Sequence, residues 1–214
     1  MTDKKLNEIM LKIDSLYKKV GNDSKARNWL WENYYNLGEG SSRAVFALDA
    51  KHAIKLATNE KGIAQNEAEV QLYEKYCNDK NCRLAKIYWY STTYKYIIVE
   101  RCKSINKYFE EKGWNFYDDD VAAVLNDYCD GQECKKLNLV QMEKHARSRM
   151  KGDGPKAAMN KIIADMKVVG KFIFKSKISD IYDDQIGYNA KGKLTVLDYG
   201  MTKNVYEQFY KHIW

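Results

Sequence analysis

The stretch Asp180-Ile-Tyr-Asp-Asp-Gln185-Ile-Gly-Tyr-Asn-Ala-Lys-Gly192-Lys-Leu-Thr-Val-Leu-Asp198-Tyr-Gly200 constrains this chain more than any other. Leu194-Thr-Val-Leu197 is a short apolar run after an Asn-Ala-Lys-Gly turn. It predicts a hairpin that places Asp198 at the mouth of a buried strand, with Gly200 letting the backbone bend. A loop acid, an amide side chain five positions later and a second acid at a strand end supply the oxygens that phosphoryl transfer requires. One carboxylate orients a nucleophile, while carboxylate and amide oxygens hold a metal. An ordinary hairpin with surface acids has the same pattern, so the rest of the chain must discriminate.

With 214 residues and 45% hydrophobic content, the chain can bury one core of ordinary size, divided or not into two lobes. No apolar run approaches a bilayer-spanning length, and Met1-Thr-Asp-Lys-Lys lacks the apolar core of a signal peptide. A soluble, cytoplasmic protein without a membrane partner is expected. The five cysteines are an odd number, which points to reduced thiols rather than a disulfide framework. Cys77 with Cys82, and Cys129 with Cys134, sit at the loose edge of structural zinc spacing with no histidine near, so thiols are favoured over zinc. The net charge of +7 suits anionic partners such as nucleotides or acidic protein surfaces. Its basic residues are scattered rather than clustered, which argues against nucleic acid.

From Lys4 to Val20, apolar residues at Leu6, Ile9, Met10, Ile13, Leu16, Tyr17 and Val20 predict an amphipathic helix ended by Gly21 and Asn22. It is expected to pack on the body of the protein, a dimer contact being the alternative. Ser24 is placed as the cap of a second short helix through Asn33. Strand-like runs at 44–48 and 53–56 flank a turn and follow Gly38 and Gly40. Such a glycine-rich turn lets backbone N–H groups approach phosphates, and Lys55 on the next strand can reach them as a point charge. Residues 62–76 read as a helix with Ile63, Val70, Leu72, Tyr73 and Tyr76 inward, and 83–90 with 94–100 as two strands. Helices are expected near 121–126 and 137–142. Asp118-Asp-Asp120 reads as a helix N-terminal charge cluster rather than a metal site, because adjacent acids point different ways on a helix. Pro155 opens a long helix carrying Met159, Ile162, Ile163, Met166, Val169, Phe172 and Ile173, and this leads into the hairpin.

Gly38-x-Gly40-x-x-Arg43-x-Val45 and Ala53-Ile-Lys55 resemble the nucleotide loop and strand-three lysine of the protein-kinase-like superfamily. Asp180, Gln185 and Asp198-Tyr-Gly200 resemble its catalytic-loop aspartate, its metal-binding loop amide and its Asp-Phe-Gly element. The resemblance implies an α+β, two-lobed kinase-like fold with a small antiparallel-sheet N-lobe and a reduced, mainly helical C-lobe. Residues 1–35 would be a helical extension, 36–102 the N-lobe and 103–214 the C-lobe. It also implies ATP and Mg2+. Gly38, Gly40, Ser41, Ser42, Arg43, Val45 and Lys55 would surround the nucleotide, Val99 would guard the back of the adenine pocket, and Glu100 to Cys102 would offer backbone groups to the base. A helical glutamate would pair with Lys55: Glu69 is preferred because Tyr73 lies one turn beyond on nearly the same face, with Glu67 second. A solvated helix face is the plain alternative. Asp180 would be the catalytic acid-base, and Asp198 with Gln185 would hold the metal.

Four departures bear on activity. Ile178-Ser179 stands where the family has His-Arg, and Gln185 is one methylene longer than asparagine. Arg43 replaces the third loop glycine, stiffening the lid and offering a phosphate contact. Only Met201 to Trp214 follow Gly200, which leaves no room for a full activation segment. The implied protein is a compact kinase-like protein of bacterial or phage type, transferring phosphate to a protein serine or threonine, with its own Ser41 or Ser42 as an alternative acceptor. A pseudokinase acting as a binding module is the alternative. A small-molecule kinase is a third, although no substrate-binding insertion follows the catalytic loop. Oligomeric state is not readable.

Overall fold

The computed structural model describes residues 2–17, 23–114, 118–129, 136–150, 155–178 and 181–211, with 118–120 and 183 as backbone alone. Its helices are α1 (Asp3–Leu16), α2 (Ser24–Asn33), α3 (Glu60–Tyr76), α4 (Ile105–Glu111), α5 (Asp118–Cys129), α6 (Leu139–Arg149), α7 (Lys156–Ser176) and α8 (Lys203–Phe209). Its strands are β1 (Tyr35–Glu39), β2 (Arg43–Ala47), β3 (His52–Ala57), β4 (Ile87–Tyr90), β5 (Tyr96–Glu100), β6 (Lys103–Ser104), β7 (Ile186–Tyr188) and β8 (Leu194–Val196). Two compact units result: Met1–Gln71 with Lys86–Arg101 and Lys203–Trp214, and Leu72–Ala85 with Cys102–Thr202.

The first unit is built on an antiparallel five-stranded sheet in the order β1-β2-β3-β5-β4. Side chains alternate across a strand, so its two faces can be read from the register. One face carries Ala44, Phe46, Ile54, Leu56, Tyr96 and Ile98, all buried with Ile9, Met10 and Ile13 of α1 and Leu30 of α2. A fully buried Ile13 or Leu30 contributes about 1.5–3 kcal/mol of hydrophobic stabilisation. The N-terminal helices therefore cover the back of the sheet. The opposite face carries Val45, Lys55 and Ile97 in one row and Ala53 opposite Val99 in the next.

Two details differ from the sequence reading. Thr2 caps α1, accepting from the Lys5 N–H, and the helix ends at Leu16, where the Tyr17 N–H still donates to the Ile13 carbonyl. The expected terminators Gly21 and Asn22 lie outside the described residues. Ser24 is the first residue of α2 rather than its cap; Asp23 holds that position, without a side-chain capping bond.

The second unit packs α5, α6 and α7 around one core. Pro155 is the N-cap of α7, where its fixed φ and missing N–H cost nothing, and Ile162, Met166, Val169 and Ile173 recur along the buried face. Lys177, at φ 60°, closes the helix in the left-handed conformation and donates its N–H to Ile173. A three-stranded sheet, β6-β7-β8, completes the unit. Its hairpin turn is held by the Asn189 side chain, which accepts from the N–H groups of Lys191 and Lys193, and Gly192 supplies the positive φ of 66°. Tyr188 stacks on Tyr108 beneath it, with ring centroids 3.9 Å apart.

A small antiparallel-sheet unit and a mainly helical unit make this an α+β chain, as expected from the sequence. Among the described residues, no helix is long and apolar enough to cross a membrane.

Candidate functional site

The glycine-bearing turn joins β1 to β2. The Gly40 N–H donates to the Arg43 carbonyl at 2.9 Å, closing the turn. A Cβ added at Gly38 or Gly40 would meet nothing within 4 Å, so this backbone is open to approach. Val45 lies directly across from Lys55 on the face away from the N-terminal helices. Ser41 is exposed. Ser42 is not: its hydroxyl is buried and donates to Gln65 Oε1 at 2.7 Å. Phosphorylation at Ser42 would first have to break that bond, whereas Ser41 carries no such restriction.

Lys55 on β3 places Nζ 2.8 Å from both carboxylate oxygens of Glu69, a residue with no exposed surface. Glu67 instead accepts from Gln71 at an exposed position. Arg43 departs from the expectation of a phosphate contact. Its guanidinium is turned inward, with Nη1 2.7 Å from Glu69 Oε1 and 3.3 Å from Asn66 Oδ1. The reason is the register: Arg43 lies two residues before Val45 on β2, hence on the same sheet face as Lys55, the face that meets Glu69 of α3. A buried carboxylate without a cation is costly, and here it is held by two.

Sequence reasoning missed Gln65 and Asn66, which are buried beside Glu69. Apolar periodicity could not find them, because the inward face of this part of α3 is polar. The readable signal was the spacing itself: 65, 66 and 69 fall on one helical face, and all three are side chains that can hydrogen-bond.

Val99 is buried on β5, opposite Ala53 of β3 and Ile87 of β4. Of the segment expected to present backbone groups to a base, two N–H groups are already used. Glu100 donates to the Lys86 carbonyl at 2.7 Å and Arg101 to that of Lys51 at 2.8 Å. These two N–H groups are therefore not open to a base, which corrects the expectation for Glu100 and Arg101 as donors.

In the second unit a short 3-10 turn, Asp183–Gln185, precedes β7. The Gln185 carbonyl accepts from the Leu197 N–H at 2.7 Å and, at the long limit of 3.5 Å, from that of Asp198. These bonds tie the two expected metal-binding residues together through the backbone. The Gln185 side-chain oxygen also accepts from the Tyr182 N–H at 3.2 Å. Tyr199 is buried, and its hydroxyl donates to the Ala85 carbonyl at 3.0 Å, which anchors the segment after Asp198. Asp180, the expected catalytic aspartate, lies outside the described residues, as does Ser179.

Among the described residues, no group of three or more His, Cys, Asp or Glu side chains could hold a metal. By donor type alone, the carboxylate of Asp198 and the amide oxygen of Gln185 would suit Mg2+. This ion takes one or two protein oxygens and fills its octahedron with water and substrate phosphates. Zinc finds no such support: burial raises the Cys82 thiol pKa, which disfavours the thiolate a zinc site needs, and Cys77 is an exposed free thiol. Cys134 lies outside the described residues.

No family model and no curated protein matches this sequence. Among solved structures, SAICAR synthase from Saccharomyces cerevisiae is similar at 12% identity over 80% of this chain and 74% of that one, with a TM-score of 0.40. An ADP-bound aminoglycoside phosphotransferase is similar at 13% identity over 90% and 70%, TM-score 0.39. Choline kinase from Streptococcus pneumoniae is similar at 14% identity over 77% and 61%, TM-score 0.33. Scores below 0.5 describe partial overlap, so the chemistry of the site rests on its own residues.

Proposed function

We propose that this protein is an ATP- and magnesium-dependent phosphotransferase that passes the γ-phosphoryl group of ATP to a hydroxyl, with a protein serine or threonine as acceptor. The observation that supports it most is the buried Lys55–Glu69 pair. A lysine held bidentate by a helical carboxylate, across from Val45 on the strand that follows the glycine turn, supports this reading because it is a fixed cation of the kind that phosphate oxygens need.

In this reading Lys55 and the turn backbone bind and orient the phosphates, and Val99 lines the adenine pocket. Asp198 and Gln185 would hold Mg2+, which would supply charge neutralisation. Asp180 orients the acceptor hydroxyl and takes its proton. Because positioning and charge stabilisation account for most of phosphoryl-transfer catalysis, loss of Lys55, Asp180 or Asp198 lowers the rate by orders of magnitude.

A second reading, a pseudokinase that serves as a binding module, is favoured by one contact. The Gln185 side-chain oxygen is already engaged by the Tyr182 N–H, which leaves less of it for a metal. Thermal unfolding of wild type and Asp198→Ala, each with ATP and Mg2+, together with a γ-phosphate transfer assay, separates the two. Stabilisation and transfer in wild type, both lost in the variant, are expected of the enzyme. Stabilisation without transfer supports the binding module. A wild type unaffected by nucleotide sinks the phosphotransferase proposal.

A further inference from the structure

We infer that Arg43 is a positioning residue for Lys55: it keeps Glu69 neutralised and in place when Lys55 is drawn to a polyphosphate. This deepens the nucleotide reading above and rests on it. Glu69 has no exposed surface, and among the described residues its ion-pair partners are Arg43 of β2 and Lys55 of β3. Lys55 spends two of its three N–H donors on the two oxygens of Glu69. A phosphate that pulls on Nζ loosens at least one of those contacts. Were Lys55 the sole partner, a carboxylate shut away from water would lose compensation at that moment, and the cost would oppose nucleotide binding. Arg43 offsets the conflict, because its Nη1 lies 2.7 Å from Glu69 Oε1 through a contact of its own that does not run through Lys55.

The guanidinium is itself fixed. It also donates to Asn66 Oδ1, and the Asn66 amide donates in turn to the Tyr94 carbonyl at 2.9 Å. Through Nη1, one guanidinium therefore joins the strand that follows the glycine turn to two successive inward positions of α3. With two cations on one carboxylate, the buried cluster carries a net positive charge, which suits an arriving anion. A plain structural cross-link would use the same contacts. It would not couple Arg43 to nucleotide affinity through the charge of Glu69.

The test is a double-mutant cycle on the dissociation constant for Mg-ATP, using the full chain and checking folding by circular dichroism. Arg43→Gln removes the charge and keeps an amide for Asn66. It is expected to weaken Mg-ATP binding by about tenfold or more, the size of one lost charge-assisted hydrogen bond at a buried partner. In a Glu69→Gln background the same change is expected to matter less than about twofold, since no charge is left to compensate. Arg43→Lys, which restores the charge, is expected within about threefold of wild type. If Arg43→Gln does not fold, Arg43→Lys is read alone, and a tenfold loss overturns the inference. Equal losses in both backgrounds, or no loss while Lys55→Met abolishes binding, overturn it too. A wild type that binds no Mg-ATP overturns the nucleotide reading, and this inference with it.

Discussion

Gly62, in the first turns of α3, packs so closely on the Ser42 carbonyl oxygen that a Cβ there would lie 2.1 Å from it. This contact lets the start of α3 press against the end of the glycine turn, where Asn59 also donates to the Ser41 carbonyl. Two effects compete in Gly62→Ala. Helix propensity favours alanine by up to about 1 kcal/mol. The clash, however, is with a backbone oxygen that already accepts from the Thr58 N–H at 2.9 Å and cannot move alone. The clash is expected to win, with a net loss of about 1–3 kcal/mol in urea unfolding. A stabilised Gly62→Ala would show that the two segments separate at little cost.

The shared carboxylate sets an order of stabilities. Lys55→Met leaves Glu69 with Arg43, so the fold is expected to survive and the loss to stay below the about 3–5 kcal/mol of a buried charge left without a partner. Glu69→Ala strands two cations, Arg43 at 6% and Lys55 at 5% exposure, side by side. It is expected to cost more than Lys55→Met in the same chemical-denaturation assay. The reverse order would mean that Arg43 does not compensate Glu69.

These pairings also show what was legible in the sequence. The strands themselves were readable, as apolar runs at 44–48 and 53–56 flanking a turn, while the register that sets Val45 against Lys55 is given by the structure. The acid at position 69 was readable from its helical phase against Tyr73. The inward turn of Arg43 was not, since a loop-edge arginine reaches solvent or core with equal ease until a buried acceptor is known. Nor were Gln65 and Asn66, because a buried polar face gives no hydrophobic periodicity. The engaged N–H groups of Glu100 and Arg101 escaped notice for a different reason: backbone pairing at a strand end depends on neighbouring loops, here residues 51 and 86, rather than on the strand's own side chains.

Tyr199 occupies the position that holds phenylalanine in the element it resembles, and its hydroxyl bond to Ala85 is the difference. Tyr199→Phe keeps the ring in its buried place and removes one hydrogen bond. A loss of about 0.5–1.5 kcal/mol is expected, with any Mg-ATP stabilisation unchanged. A selective loss of nucleotide response in this variant would mean that the hydroxyl positions Asp198, which the present contacts do not require.

Alkaline pH should undo the fold through its buried phenols. Tyr17 is pushed up to about 12, first by burial and then by the Asp23 carboxylate. Tyr96 is raised by burial and by Asp14, and Tyr188 by burial and by Asp165 and Tyr108. Each native phenol holds its proton above the ordinary value near 10, so between these limits the folded chain binds more protons than the unfolded chain. Stability is therefore fully present below about pH 10 and falls as pH climbs toward 12 and beyond. Among the 17 tyrosines, the exposed ones are expected to ionise reversibly near pH 10 by absorbance at 295 nm. The buried set should appear later, together with the loss of circular dichroism. Ionisation of all tyrosines in one step near pH 10, with the fold intact, would show that these phenols are open to water.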